Sequence, residues 1–104
     1  MRLNAEQRQT IHRLTREQLG ERVRVQLFGS RLNDAAYGGD VDLLLRAETP
    51  VSLAQKADLG WQLELELGLP VDILVIDQQG PRTAFEQLAL ARARDIPPVQ
   101  EDVR

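Results

Sequence analysis

The amino-acid sequence predicts an α/β (α+β) domain, a small β-sheet of three or more strands flanked by helices. Two observations carry this. Three short runs, Val23–Phe28, 40–45 and Val71–Ile76, have the valine, isoleucine and leucine content of strands, bounded by glycine or polar residues. Around and between them lie longer stretches with helical spacing, capping residues and glycine stops. With 104 residues, 42% of them hydrophobic and 28% charged, the chain can build one core but not two. Residues 1–98 are expected to form a single domain, and 99–104 a disordered tail.

Each element has its own justification. Residues 4–19 read as a helix, because Asn4 and Gln7 resemble a capping box and Gly20 is a plausible stop. Ile11, Leu14 and Leu19 give it only a narrow apolar stripe, and His12 reads as a solvated surface histidine. Val23–Phe28 alternates, with Val23, Val25 and Leu27 toward the core. Gly29 ends this strand and permits a turn that a side chain would block. Residues 31–39 form a polar segment that closes on Gly38-Gly39, and the strand over 40–45 follows.

In that second strand Val41, Leu43 and Leu45 share one face, and Asp40, Asp42 and Leu44 share the other. Residues 46–50 are expected as a loop and 51–67 as a helix stopped by Gly68. Leu53, Ala54, Ala57, Leu59, Leu63 and Leu67 approximate helical spacing, and although Trp61, Leu63, Leu65 and Leu67 alternate as in a strand, the glutamates, glutamine and alanines favour helix. Trp61 is read as core or rim rather than as a stacking platform. Val71–Ile76 is nearly all apolar, so burial on both faces is expected. Thr83 and Glu86 then cap a last helix through Ala93, with Phe85, Leu88 and Ala89 inward and Pro97-Pro98 as the stop.

Composition narrows the functions available. No cysteine is present, so a disulfide framework and a thiolate metal site are both excluded. A metal site must use oxygen ligands and perhaps His12, which favours hard ions such as magnesium. The net charge is −3, and Lys56 is the one lysine among 13 basic residues. Scattered arginines and four aromatic residues (Phe28, Tyr37, Trp61 and Phe85) give no basic, base-stacking surface, so direct nucleic-acid binding is not expected. No apolar run is long enough to span a membrane, and the first ten residues are polar, which makes a cytoplasmic location the default.

The chemistry concentrates in two short motifs. Gly29-Ser30 opens a turn whose backbone N–H groups and hydroxyl can converge on an anion, as at helix N-termini. Alone, it reads as an ordinary turn, since Gly-Ser is common in turns. Asp40-Val41-Asp42 places two carboxylates on one side of a strand, roughly 7 Å apart, a separation that suits shared coordination of magnesium. Asp40 alone also fits a turn. Asp42 does not, because a carboxylate entering a leucine run loses hydration unless a cation or donors meet it. Asp72 is a further charge in an apolar strand, either paired structurally or part of a site.

Gly29-Ser30, a spacer, Asp40-Val41-Asp42 and a third strand carrying Asp72 together resemble the signature of the DNA polymerase beta-type nucleotidyltransferase superfamily. The compact size is similar to its minimal members, the MNT-domain proteins. Three departures from the common pattern stand in the spacer: Asp34 where many members have glycine, one residue fewer, and Gly39 in place of a serine or threonine. The resemblance covers nearly the whole chain and implies a mixed sheet of the polymerase beta-type nucleotidyltransferase fold. It implies that Asp40, Asp42 and Asp72 are catalytic and bind metal, two Mg2+ ions in all. Asp72 would complete the second metal site or help deprotonate the attacking hydroxyl. Gly29, Ser30 and Arg31 would bind the nucleotide phosphates, with ATP as substrate. A HEPN-domain protein is the implied partner, and a tyrosine hydroxyl on it the acceptor of AMP, in a toxin–antitoxin pair. A non-catalytic antitoxin that occludes its partner, or a transferase acting on a small molecule such as an aminoglycoside, are the alternatives.

Overall fold

The computed structural model describes residues 2–29 and 39–99. Their elements run α1 (Ala5–Leu19), β1 (Val23–Phe28), β2 (Val41–Ala47), α2 (Leu53–Leu67), β3 (Val71–Ile76), α3 (Ala84–Arg92) and β4 (Arg94–Asp95). The four strands form one mixed sheet in the order β3-β2-β1-β4. β1 is antiparallel to β2 and to β4, whereas β2 and β3 are parallel, with helix α2 as the crossover between them. The mixed sheet flanked by helices is the expected fold class.

Period-two alternation along β2 sorts its side chains into two layers. Val41, Leu43 and Leu45 face a large core completed by Ile11 and Leu14 of α1 and by Leu59 and Leu63 of α2. Leu44 faces the other way, into a small core with Ile76 and Ala89, where α3 packs. Fully burying each of these leucines stabilises the fold by roughly 2 to 3 kcal/mol relative to an exposed position. The strand buried on both faces is therefore β2, with Leu43, Leu44 and Leu45 all at 0% exposure. The expectation placed that character on β3, which is instead an edge strand, with Ile73, Leu74 and Val75 only half-buried. Apolar composition reports that a strand is covered somewhere, and the pairing order decides how completely.

The helix starts follow from capping. The Asn4 side chain accepts from Gln7 N–H at 2.8 Å and the Gln7 side chain accepts from Asn4 N–H at 2.9 Å, so both halves of the expected box are made. Ser52 and Gln55 make the same reciprocal pair, which starts α2 at Leu53 rather than at residue 51. Gly68, at φ +69°, ends α2 in the left-handed region. Thr83 accepts from Glu86 N–H at 3.0 Å and so caps α3.

Several expectations are corrected by tertiary pairing. β2 continues through Arg46 and Ala47, because Arg24 and Val23 of β1 lie opposite them and extend the ladder. α3 stops at Arg92, and Arg94–Asp95 forms a two-residue strand against Gln26 and Leu27, too short to leave any periodicity in the sequence. The Arg24 guanidinium clasps Asp95, with Nε donating to Oδ1 at 2.7 Å, and Gln26 Nε2 donates to the same oxygen at 3.1 Å. Leu53 and Trp61 stand on the outer face of α2 at 80% and 63% exposure, so Trp61 is not in the core. Of residues 99–104, expected as a disordered tail, Val99 is described and half-buried, and 100–104 lie outside the described residues.

His12 is not a solvated histidine. Its ring is partly buried, and Nε2 lies 2.9 Å from the carbonyl oxygen of Ile96, an acceptor that requires the N–H on that nitrogen. Ile96 itself is buried against the large core. This bond ties the segment after β4 to α1. Replacing His12 with alanine is expected to cost about 1 kcal/mol of stability and to accelerate amide exchange at Arg94 and Asp95, read by denaturant titration and hydrogen exchange. Unchanged exchange there would show that β4 holds without the tie.

Candidate active site

α1 and α2 pack on one face of the sheet, and α3 covers part of the other. The candidate acidic residues lie on the partly covered side. Asp42 is on the Leu44 face of β2, and the parallel register sets Asp42 directly beside Asp72 of β3. Phe28, the last residue of β1, lies opposite Asp42 on the other side. Three adjacent strands thus deliver Phe28, Asp42 and Asp72 to one row, and the turn at Gly29 follows at its end.

Asp42 is half-buried and Asp72 exposed. The two side chains are within hydrogen-bonding contact, and Asp40 is close enough to add to the local negative charge. Burial first, and then the charges of Asp72 and Asp40 and the contact with Asp72, push the Asp42 carboxyl above its ordinary value. Asp40 stands just before β2 and is exposed. The structure therefore brings Asp42 and Asp72 into contact and leaves Asp40 alongside.

Gly29 is fixed by Asp42. Its φ is +81°, a conformation that side chains rarely adopt, and a Cβ built there would overlap Asp42 Oδ2. Turn and carboxylate are in van der Waals contact because no side chain separates them. Ser30 and Arg31, expected with Gly29 to bind phosphate, lie outside the described residues, as do Asp34 and Gly38 of the spacer.

A cavity of about 630 Å³ opens over this row. Gly29, Asp42 and Asp72 form its polar end, and Phe28, Leu74, Phe85 and Leu88 line the rest. Phe85 and Leu88 were expected inward. They face the cavity at 62% and 50% exposure, and Ala89 alone of that trio is buried. Their helical spacing was visible in the sequence, but nothing in it showed that the sheet falls short beneath them.

Among the described residues no group of three or more histidine, cysteine, aspartate or glutamate side chains closes on one point as a metal site. The donor set still fits a magnesium ion, which takes oxygen ligands and is usually held by one or two carboxylates completed by water and substrate phosphates. Two carboxylates in contact without a cation repel, and a divalent ion would supply the missing charge. Such a donor set suits a protein that handles a phosphorylated ligand together with a hard cation.

Comparison with known proteins agrees with that class. The nucleotidyltransferase domain family matches residues 9–96, and the chain belongs to it. No curated protein matches the chain. Among solved structures, similar folds occur in a complex of tri-AMPylated Shewanella oneidensis HEPN toxin with MNT antitoxin. That match has 18% identity and a TM-score of 0.64, and covers 89% of this chain and 71% of the other. A toxin–antitoxin structure with AMP-PNP matches at 20% identity and a TM-score of 0.67, covering 96% and 77%. The MntA-HepT toxin–antitoxin matches at 17% identity and a TM-score of 0.64, covering 91% and 73%. At these identities the likeness is one of fold.

Two expectations follow from the geometry. Gly29→Ala forces both the left-handed backbone and the Asp42 side chain to give way, at a cost of about 1 to 2 kcal/mol, measurable as a lower unfolding midpoint in denaturant. An unchanged midpoint would mean that the turn tolerates a Cβ. The second concerns pH. A raised Asp42 carboxyl holds its proton in the folded chain after the unfolded chain has released it, so stability declines as pH rises from the ordinary aspartate value through the raised one. Asp42→Asn abolishes that decline, so in metal-free buffer above this range the variant melts at a higher temperature than wild type. Parallel melting curves across pH would refute the assignment.

Proposed function

We propose that this chain is a magnesium-dependent nucleotidyltransferase that transfers AMP from ATP to a tyrosine hydroxyl of a HEPN-domain toxin, as the cytoplasmic antitoxin of the pair. The observation that carries the reading is the contact of Asp42 with Asp72 beside a turn that only glycine can make, on the open face of a nucleotidyltransferase-family sheet. Support for the nucleotide and the partner comes from the solved structures of similar fold, one holding an AMPylated HEPN toxin with its MNT antitoxin and another AMP-PNP.

In the proposed reaction the acceptor oxygen attacks the α-phosphorus of ATP, and the bond to the β-phosphate oxygen breaks to release pyrophosphate. Asp40, Asp42 and Asp72 would hold magnesium, which supplies positive charge against the triphosphate and the developing negative charge. Gly29 itself adds no side chain to the turn, so a phosphate held there would approach its backbone beside the Asp42 carboxylate. Ser30 and Arg31 follow that turn in the sequence and complete the proposed phosphate-binding set. Asp72, the more exposed of the pair, would complete the metal site or take the proton of the attacking hydroxyl.

The test uses the full chain with the HEPN-domain protein encoded beside it, α-labelled ATP and magnesium. Label is expected on a partner tyrosine, abolished by EDTA and reduced about 10²-fold or more by Asp42→Asn or Asp72→Asn. Transfer that survives Asp42→Asn would overturn the metal assignment. A stable complex with no transfer from any nucleotide would replace catalysis by occlusion of the partner.

A further inference from the structure

Helix α2 has two apolar sides. Leu59 and Leu63 fill the core, and Leu53, Ala57, Trp61 and Leu65 form a second row, four residues apart, on the outside. Leu65 is 65% exposed, comparable with Leu53 and Trp61, and Ala57 is exposed as well. A helix that is apolar on both sides normally has both covered. Among the described residues, nothing covers this outer row. The neighbouring row on the helix is Lys56, Gly60 and Glu64, and a groove of about 440 Å³ runs along the two rows beside β3. Gly60 is the informative member. Glycine is a poor residue for the middle of a helix, and nothing inside this chain requires it there. An added Cβ would meet only Ile73 Cδ1, at an ordinary 3.6 Å. The missing side chain leaves room on the outside instead.

We propose that α2 is a surface on which two copies of this chain associate, packed antiparallel about a two-fold axis beside position 59. Rows of residues four apart are the ridges of a helix, and two helices commonly pack with such ridges interlocked, crossing at about −50°. A two-fold axis at position 59 lays the outer row beside its own reverse. Leu53 of each copy then meets Leu65 of the other, and Trp61 meets Ala57. The large ring fits over the small residue, with the space left by Gly60 next to it. The charges obey the same operation. Two-fold symmetry brings one flank of the helix against the same flank of its copy, run in reverse. On the Gly60 flank Lys56 stands to one side of the axis and Glu64 to the other, so Lys56 of each copy lies near Glu64 of the other. Lys56 has no ion-pair partner among the described residues. Glu64 accepts from Val71 N–H at 2.9 Å through Oε2, which leaves Oε1 for the contact. Complementarity to itself in both size and charge is what selects a second copy as the occupant. Covering the two rows removes on the order of 1,000 Å² in total, the lower limit for a specific interface, so the association is weak and reversible. Asp72 also lines the groove, which makes a partner protein reaching for the acidic pair the competing occupant.

Sedimentation equilibrium of the full chain tests this. The mass of wild type is expected to climb from 11.7 kDa toward twice that value with rising concentration, with a Kd on the order of 10⁻⁵ M. Trp61→Glu should leave the monomer alone and, because the side chain is exposed, melt near wild type. Lys56→Glu and Glu64→Lys each set like charges against one another and should weaken association about tenfold. Mixing these two variants restores opposite charges at both contacts, so the mixture should associate like wild type. Gly60→Ala should raise the unfolding midpoint yet weaken association, two opposite effects that a purely internal role for the glycine does not produce. A mass of one copy at every concentration up to about 1 mM would overturn the proposal. So would a dimer that persists in Trp61→Glu, or a mixture of the charge variants no tighter than either alone. A monomeric wild type whose complex with the HEPN-domain protein is broken by Trp61→Glu would give the face to that partner and overturn it equally.

Discussion

The arrangement turns on the parallel register of β2 and β3, which sets Asp42 against Asp72. Two carboxylates do not associate by their own attraction. Here the backbone ladder and the leucines and valines behind it hold them together, so the core bears the electrostatic cost at the site. The cost is visible in the Asp42 carboxyl, held above its ordinary value by burial and by its acidic neighbours. A site kept under that tension is poised for a cation, since a divalent ion turns the repulsion into attraction.

The rest of the fold serves that register. α2 is the crossover that parallel strands require, and its Leu59 and Leu63 anchor it on the sheet face opposite the acidic pair. β1 closes the other flank of β2, brings Phe28 opposite Asp42 and ends in Gly29, which must be glycine because Asp42 occupies the space of a side chain. β4, tied by the Arg24–Asp95 ion pair and by His12 to Ile96, covers the outer edge of β1 and so secures the strand that carries the turn. Stability and site geometry therefore share the same strands, and a change at Gly29 or Asp42 registers in both.

α3 plays a different part. It is a short helix that packs on the sheet through Ala89, with Leu90 partly buried beside it, and leaves Phe85 and Leu88 over a cavity. A helix packed tightly there would bury more surface and would close the space beside the carboxylates. The incomplete packing makes this face a cleft, and it is where a fold built for stability alone would have been filled.

The sequence by itself determined the three long strands, the three helices and most of their caps. Alternation, helical spacing and capping pairs are local, and local chemistry fixed them. Asp40-Val41-Asp42 with Gly29-Ser30 could be joined into one candidate site because their spacing in the chain is short. Tertiary structure decided what depends on neighbours distant in sequence. It made β2 rather than β3 the central strand, recruited Arg94–Asp95 into the sheet and put His12 on the Ile96 carbonyl. It also left Phe85 and Leu88 uncovered, although their helical spacing marks them as core. Spacing shows which way a side chain faces along its own element, but whether anything meets it there depends on where another part of the chain comes to rest. For the same reason, only the pairing of β2 with β3 turned a candidate carboxylate at position 72 into the neighbour of Asp42.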